Sequence, residues 1–170
     1  PARAAGAARE VLRLVDEDVA ALLLLARQAR AAGDLVEAVV RYDAASRAIA
    51  AGRVAGVEPA DLEAAKKEHA ALLDELHVSP SAAKGKPESV VRQVQGAVQT
   101  LFLERLKKRK GLAGALDVAV VVNAAGTVDT VQIVSDSVGD AAVAASVVAN
   151  LRRATILGGA KRYSFTMELK

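Results

Sequence analysis

A chain of 170 residues that is 52% hydrophobic and 25% charged has apolar side chain enough for one good core or two small ones, and is not a disordered polymer. It holds no Cys, which excludes disulfides, thiolate metal centres and cysteine nucleophiles, and no Trp and only two Phe and two Tyr, which argues against the aromatic platforms on which single strands of nucleic acid stack. The formal charge of +3 conceals an asymmetry: residues 1–79 carry 10 Lys/Arg against 13 Asp/Glu and residues 80–170 carry 13 against 7, so two modules of opposite sign are expected.

The longest run of large aliphatics, residues 22–25, is far short of the roughly 20 apolar residues of a bilayer span. With no visible signal peptide and Pro1 as its first residue, the chain reads as a processed product or a piece of a longer protein. Residues 1–32 place Leu12, Val15, Val19, Leu22, Leu23 and Ala26 at helical spacing. Asp16, Glu17 and Asp18 offer a fresh helix start inside that stretch, so one long helix and two shorter ones are both open. Gly33 then ends the helix and Asp34 caps the next, about 34–51, whose inward face is Leu35, Ala38, Val39, Tyr42, Ala45 and Ile49. A third helix, about 59–76, starts at Pro59 and turns Leu62, Ala65, His69, Leu72, Leu73 and Leu76 inward.

Residues 79–88, rich in Ser, Pro and Lys, read as a linker between a helical domain at 1–78 and a second domain at 89–170. The second domain opens with an amphipathic helix over about 88–109, with Val90, Val91, Val94, Val98, Leu101 and Phe102 apolar and Arg92, Gln93, Gln95, Gln99 and Arg105 turned to water. Its basic end, Lys107-Lys108-Arg109-Lys110, complements the helix dipole before Gly111; the rival reading is a contact for phosphates or anionic headgroups. Val-rich runs at 115–122 and 127–134 flank Asn-Ala-Ala-Gly and form an antiparallel hairpin, the inner scaffold of a small sheet. Asp140 caps a helix reaching about Arg153, with Val143, Val147 and Leu151 on one stripe. After Gly158-Gly159, residues 162–170 alternate: Tyr163, Phe165, Met167 and Leu169 point to the core, and Arg162, Ser164, Thr166, Glu168 and Lys170 point away.

Around Gly33-Asp34 the chain resembles a tetratricopeptide repeat, with Ala38 at the close helix contact, Tyr42 one turn on and Ala45 after it. Leu22, Leu25 and Ala29 stand where such a repeat places the inward residues of its first helix, so the resemblance implies a helical groove formed with Tyr42. Only one such unit is visible, and solenoids stack about three or more. The order helix, strand, strand, helix, strand over 88–170 resembles the C-terminal domain of TonB-type proteins and, more closely, the AgmX/PglI C-terminal domain of envelope and gliding-motility proteins. The residues that carry this are Glu104-Arg105-Leu106, Gly111-Leu112-Ala113-Gly114, Ala125-Gly126-Thr127-Val128, the run Val134-Ser135-Asp136-Ser137-Val138-Gly139-Asp140, and Arg152-Arg153. Phe102 and Ser146 stand where that pattern often has a pair of cysteines, and Ala154 and Ile156 where it has Trp and Phe.

The fold expected is therefore α+β: a helical hairpin domain of tetratricopeptide type and a TonB-like α-β-β-α-β domain with a small antiparallel sheet. The resemblance implies a non-enzymatic periplasmic or cell-envelope adaptor, part of an energy-transducing or gliding machine, that captures an extended protein segment by adding it to a sheet edge. The expected edge is the last strand, with Arg162, Ser164, Thr166 and Glu168 tuning partner choice. A scaffold that binds a peptide or helix on the helical groove is the alternative. A basic nucleic-acid module, favoured only by a pI near 9.4 and the basic run, is the weaker one.

No Ser-His-Asp spacing, P-loop or GxGxxG is present, and no small-molecule substrate is expected. His69 and His77 would need added carboxylates to hold a metal, so they read as a helix residue and a loop residue, and neither a metal nor a cofactor is expected.

Overall fold

The computed structural model describes residues 18–170. The expected inward positions Leu12 and Val15, and the choice between one long first helix and two, lie outside the described residues. Asp18, in extended backbone, accepts a hydrogen bond from the Ala21 N–H at 2.8 Å and starts helix α1, Val19–Ala31. Asp18 thus supplies a helix start, because a carboxylate at the N-cap satisfies an N–H that the helix itself cannot. The turn to α2, Leu35–Ala50, needs left-handed backbone, which Gly33 provides at φ +79°, and Asp34 caps α2 through the Glu37 N–H at 3.1 Å. A connection this short sets α1 and α2 side by side as a helical hairpin. They bury Leu22, Leu25 and Ala26 on one helix and Ala38, Val39, Tyr42 and Ala45 on the other. The alanines let the two backbones approach closely.

Helix α3, Pro59–Glu75, follows, with Ala65 and Leu72 buried. The chain divides into two compact units after Leu72. In the second, Leu73–Lys170, residues 79–88 are held to the unit's body. Strand β1, Lys84–Gly85, pairs in parallel with β4, Thr155–Ile156, with Thr155 N–H donating to Ala83 O at 2.9 Å and Leu157 N–H to Gly85 O at 2.8 Å. The Ser79 N–H donates to the Asn150 side chain, and Arg153 donates to the Ser79 carbonyl. Two residues are too short for either strand to show a periodic pattern in sequence; backbone pairing and the fully buried Ile156 hold them.

Helix α4, Pro87–Lys108, leads to β2, Gly114–Val122, and β3, Val128–Asp136; then come α5, Ala141–Arg152, and, after β4, the last strand β5, Lys161–Leu169. The three long strands form one antiparallel sheet in the order β3-β2-β5. The protein is thus a mixed helix-and-sheet chain of α+β type. Both α4 and α5 pack against the inner face of this sheet and against each other. Leu116, Val118, Val120 and Val122 of β2, Val128 and Val131 of β3, and Met167 and Leu169 of β5 are buried on that face.

Two expectations are corrected here. Tyr163 and Phe165, read as core residues, are only half-buried; their rings stack on one another at 6.0 Å and Lys161 lies 5.9 Å from the Tyr163 ring centre. Arg105, read as water-facing, donates through Nε to both carboxylate oxygens of Asp140 at 3.2 and 3.0 Å. Asp140 is only 6% exposed and also accepts from the Ala142 and Val143 N–H groups, so the α5 cap is anchored to α4 by charge. From Ala142 to Arg152 every residue of α5 is buried, well beyond the single stripe of its sequence pattern, because small Ala and Ser side chains let neighbours close over it.

Candidate partner-binding edge of the sheet

In the order β3-β2-β5 both outer strands have an edge that no strand of the sheet covers. The hairpin is therefore not purely inner scaffold: β3, its second strand, is itself an edge. The two edges differ. Pairing of β3 with β2 is broken by register shifts between Asp117 and Val118 and between Val121 and Val122, so Val134 and Asp129 fall out of the ladder as bulges. Bulges bend and twist a strand and blunt its edge. Val134 is left 63% exposed at one of them. By contrast β5 pairs with β2 without a shift from Gly114↔Leu169 to Val122↔Lys161.

Backbone direction on β5 follows from β2. The Ala115 N–H donates to Ser137 Oγ at 2.8 Å, the Ser137 N–H donates to Ala115 O at 3.0 Å, and the Asn123 N–H donates to Thr127 O at 3.0 Å, all on the β3 side. Odd-numbered residues of β2 thus turn their backbone groups to β3, and even-numbered ones to β5. In an antiparallel ladder hydrogen-bonded and non-hydrogen-bonded pairs alternate. Ala115↔Glu168, Asp117↔Thr166, Ala119↔Ser164 and Val121↔Arg162 are then the non-bonded pairs, and the N–H and C=O groups of Arg162, Ser164, Thr166 and Glu168 point off the sheet.

The four residues singled out from the sequence therefore lie together on one exposed row, and their backbone groups are the ones that line the edge. On the same face Thr166 Oγ1 donates to Asp117 Oδ1 at 2.6 Å, and Glu168 pairs with Lys170 at 2.6 Å, which holds the Glu168 carboxyl below its usual range and the Lys170 ammonium above its own. Gln95, read as water-facing, instead reaches this edge. Its Nε2 donates to the Glu168 carbonyl at 2.6 Å, so α4 closes one end of the edge and leaves the stretch around Arg162, Ser164 and Thr166 uncapped by it. A polar residue at a helix position next to a strand end is the only trace such a contact leaves in sequence.

The four groove residues of the first unit are not brought into one groove. Leu25 and Ala29 line a cleft of about 260 Å³ with Gln28, Ala32, Asp34 and Glu37. Tyr42 lines a different, more apolar cleft of about 350 Å³ with Leu23, Ala45, Ser46, Ile49, Ala50, Ala65 and Lys66. Leu22, 3% exposed, lines neither and belongs to the core. Tyr42 is 2% exposed, donates to Glu68 Oε2 at 2.9 Å and stacks on His69 at 5.7 Å; Arg27 donates to the same Glu68 oxygen at 2.8 Å, and Ser46 bonds His69 Nδ1 at 2.9 Å. Burial first, and then the bond to Glu68, push the Tyr42 hydroxyl up to about 12. The hydrogen bond from Arg27 holds the Glu68 carboxyl below its usual range, helped by that from Tyr42 and opposed by desolvation. This network ties the three helices together, and it is built from side chains that satisfy one another.

His77, in left-handed backbone at φ 51°, lies with Nε2 3.4 Å from Glu104. Among the described residues no group of three or more His, Cys, Asp or Glu side chains is placed to hold a metal ion, and no helix is long and apolar enough to cross a membrane. Of the basic run, Arg109 donates to the Gly139 carbonyl at 2.8 Å and serves the fold, while Lys107, Lys108 and Lys110 are exposed. Comparison of the chain with protein-family models, with curated proteins and with solved structures finds no match.

Proposed function

We propose that the protein is a non-enzymatic interaction module of the cell envelope whose second unit captures an extended segment of a partner protein on the outer edge of β5. The observation that carries this is the unbroken register of a nine-residue edge strand whose outward backbone groups belong to Arg162, Ser164, Thr166 and Glu168. An added strand draws affinity from those backbone groups and specificity from alternate side chains. The half-buried Tyr163 and Phe165 offer apolar surface to the inward residues of the incoming strand, and the polar row faces the outward ones.

The order α4, β2, β3, α5, β5 is compatible with the TonB-type and AgmX/PglI resemblance, and that resemblance supplies the envelope setting. Phe102 and Ser146, at the positions of the family's cysteine pair, are fully buried on the two helices that pack together, which suits a bridge replaced by packing.

Hydrogen exchange on β5, with and without a candidate partner segment, tests the reading. Added protection at the Arg162, Ser164 and Thr166 amides supports capture, and unchanged protection overturns it. A second reading, a tetratricopeptide-type scaffold that binds a helix or peptide, is favoured by the apolar cleft beside Tyr42. Under that reading Ile49→Arg abolishes partner binding, while substitutions on β5 leave it unchanged.

A further inference from the structure

The β5 edge is complementary to itself, and we infer that two copies of this chain associate by antiparallel β5–β5 pairing about a two-fold axis through Phe165. The outward backbone groups sit on even-numbered residues, so only registers that set even opposite even can form hydrogen bonds. Three such registers lie near the strand centre. One centred on Ser164 faces Arg162 with Thr166 of the second copy. One centred on Thr166 faces Arg162 with Lys170, cation against cation. The register centred on Phe165 faces Arg162 with Glu168 twice and Ser164 with Thr166 twice, all on the exposed row. Opposite charges directly across a strand pair stabilise it and like charges oppose it, so this register is selected.

The other face agrees. The axis then sets Phe165 against Phe165 in a non-hydrogen-bonded pair, where side chains come closest, and Tyr163 against Met167. The half-buried aromatic pair, which neither helix fully covers, would be covered by its own symmetry mate. Gln95 does not stand in the way of the central bonds, because Ser164 and Thr166 provide four of them without Glu168. A carbonyl oxygen has two lone pairs, so Glu168 O can accept from Gln95 and from the second copy together. Lys170, already on Glu168, adds a second cation beside each Arg162–Glu168 pair rather than competing within the row.

The pairing uses the edge of the proposed capture site but does not depend on capture; the two would exclude one another. Sedimentation velocity of the whole chain over a wide concentration range tests it. The expected result is a concentration-dependent dimer that weakens as salt screens the exposed pairs. Arg162→Glu and Glu168→Arg each weaken association at least ~10-fold, since each acts at two sites, and the double variant R162E/E168R restores it. All these positions are exposed, so folding is not at stake.

Because the chain has no cysteine, an equimolar mixture of Ser164→Cys and Thr166→Cys chains gives a disulfide-linked heterodimer under mild oxidation, at a Cα separation of about 5.5 Å. A monomer at every concentration, charge reversals without effect, or a dimer whose mixed cysteines fail to link overturns the inference. A monomer that still gains β5 protection from a partner segment overturns the dimer and leaves capture standing; a charge-sensitive dimer with no captured segment does the reverse.

Discussion

Replacing Asp140 by Ala removes two supports of the second unit at once. The carboxylate caps α5 through the Ala142 and Val143 N–H groups, and such caps are worth about 1 kcal/mol. It also receives Arg105 Nε at 3.0 Å from a guanidinium that is 38% exposed, so solvent screening limits that pair to about 1 kcal/mol. Stranding the N–H groups of a helix end that is otherwise buried adds to the first figure, and the expected loss is about 2–3 kcal/mol. Asp140→Asn keeps a capping oxygen and loses the charge, so it costs about 1 kcal/mol.

The single methionine makes the assay specific to this unit: Met167 is 1% exposed in β5, and its methyl resonance reports folding there while ignoring the helices before Leu73. With a urea slope of roughly 1–2 kcal/mol per molar, D140A lowers the midpoint by about 1–3 M, and D140N by about 0.5–1 M. A D140A midpoint within about 0.3 M of the parent, or a D140N loss equal to that of D140A, would refute the division into cap and charge.

The same logic gives further expectations. Ser164→Pro removes an N–H that points off the sheet, so the chain stays folded within about 1 kcal/mol while strand capture is lost; Phe165→Pro removes an N–H bonded to β2 and unfolds the second unit, and both are read by the Met167 methyl and by hydrogen exchange. Gly114→Ala sets a Cβ about 2.7 Å from the Ser137 carbonyl carbon at φ +156°, so it costs more than about 2 kcal/mol in the same urea assay.

In the first unit, the raised Tyr42 value contributes stability that is complete below the ordinary tyrosine value of 10.0 and is lost as pH rises toward about 12. The lowered Glu68 value contributes stability that is complete above 4.5 and is lost as pH falls through its folded value. Tyr42→Phe should therefore cost about 1–2 kcal/mol near neutrality and flatten the alkaline limb, as followed by far-UV circular dichroism; an unchanged alkaline limb would rule this out.

Helix starts and strand alternation were legible because they are local. Asp18, Asp34 and Asp140 each announce a cap by residue type and position, and residues 162–170 alternate through their whole length. What sequence left unreadable depends on neighbours distant along the chain. Nothing near Arg105 says that Asp140 waits across a helix packing, and nothing near Gln95 says that a strand carbonyl lies in reach. The shortfall in cover over Tyr163 and Phe165 is likewise a matter of where α4 lies, since alternation tells which face a side chain takes and not how far that face is roofed. The tetratricopeptide resemblance implied one groove for Leu22, Leu25, Ala29 and Tyr42, and the structure divides them between the core and two separate clefts, a division that depends on how the helices pack.

The parallel pairing of β1 with β4 has a mechanical side. Both strands run the same way, with β1 near the start of the unit and β4 ahead of its last strand. Tension between Leu73 and Lys170, once it has reached this pair, drags the two strands past each other lengthwise, so the bonds from Thr155 and Leu157 are strained together instead of opening one after another. A strand pair loaded in this way resists as a clasp does, and substituting Thr155 by Pro, which deletes one of those bonds, should lower the rupture force in a single-molecule pulling experiment.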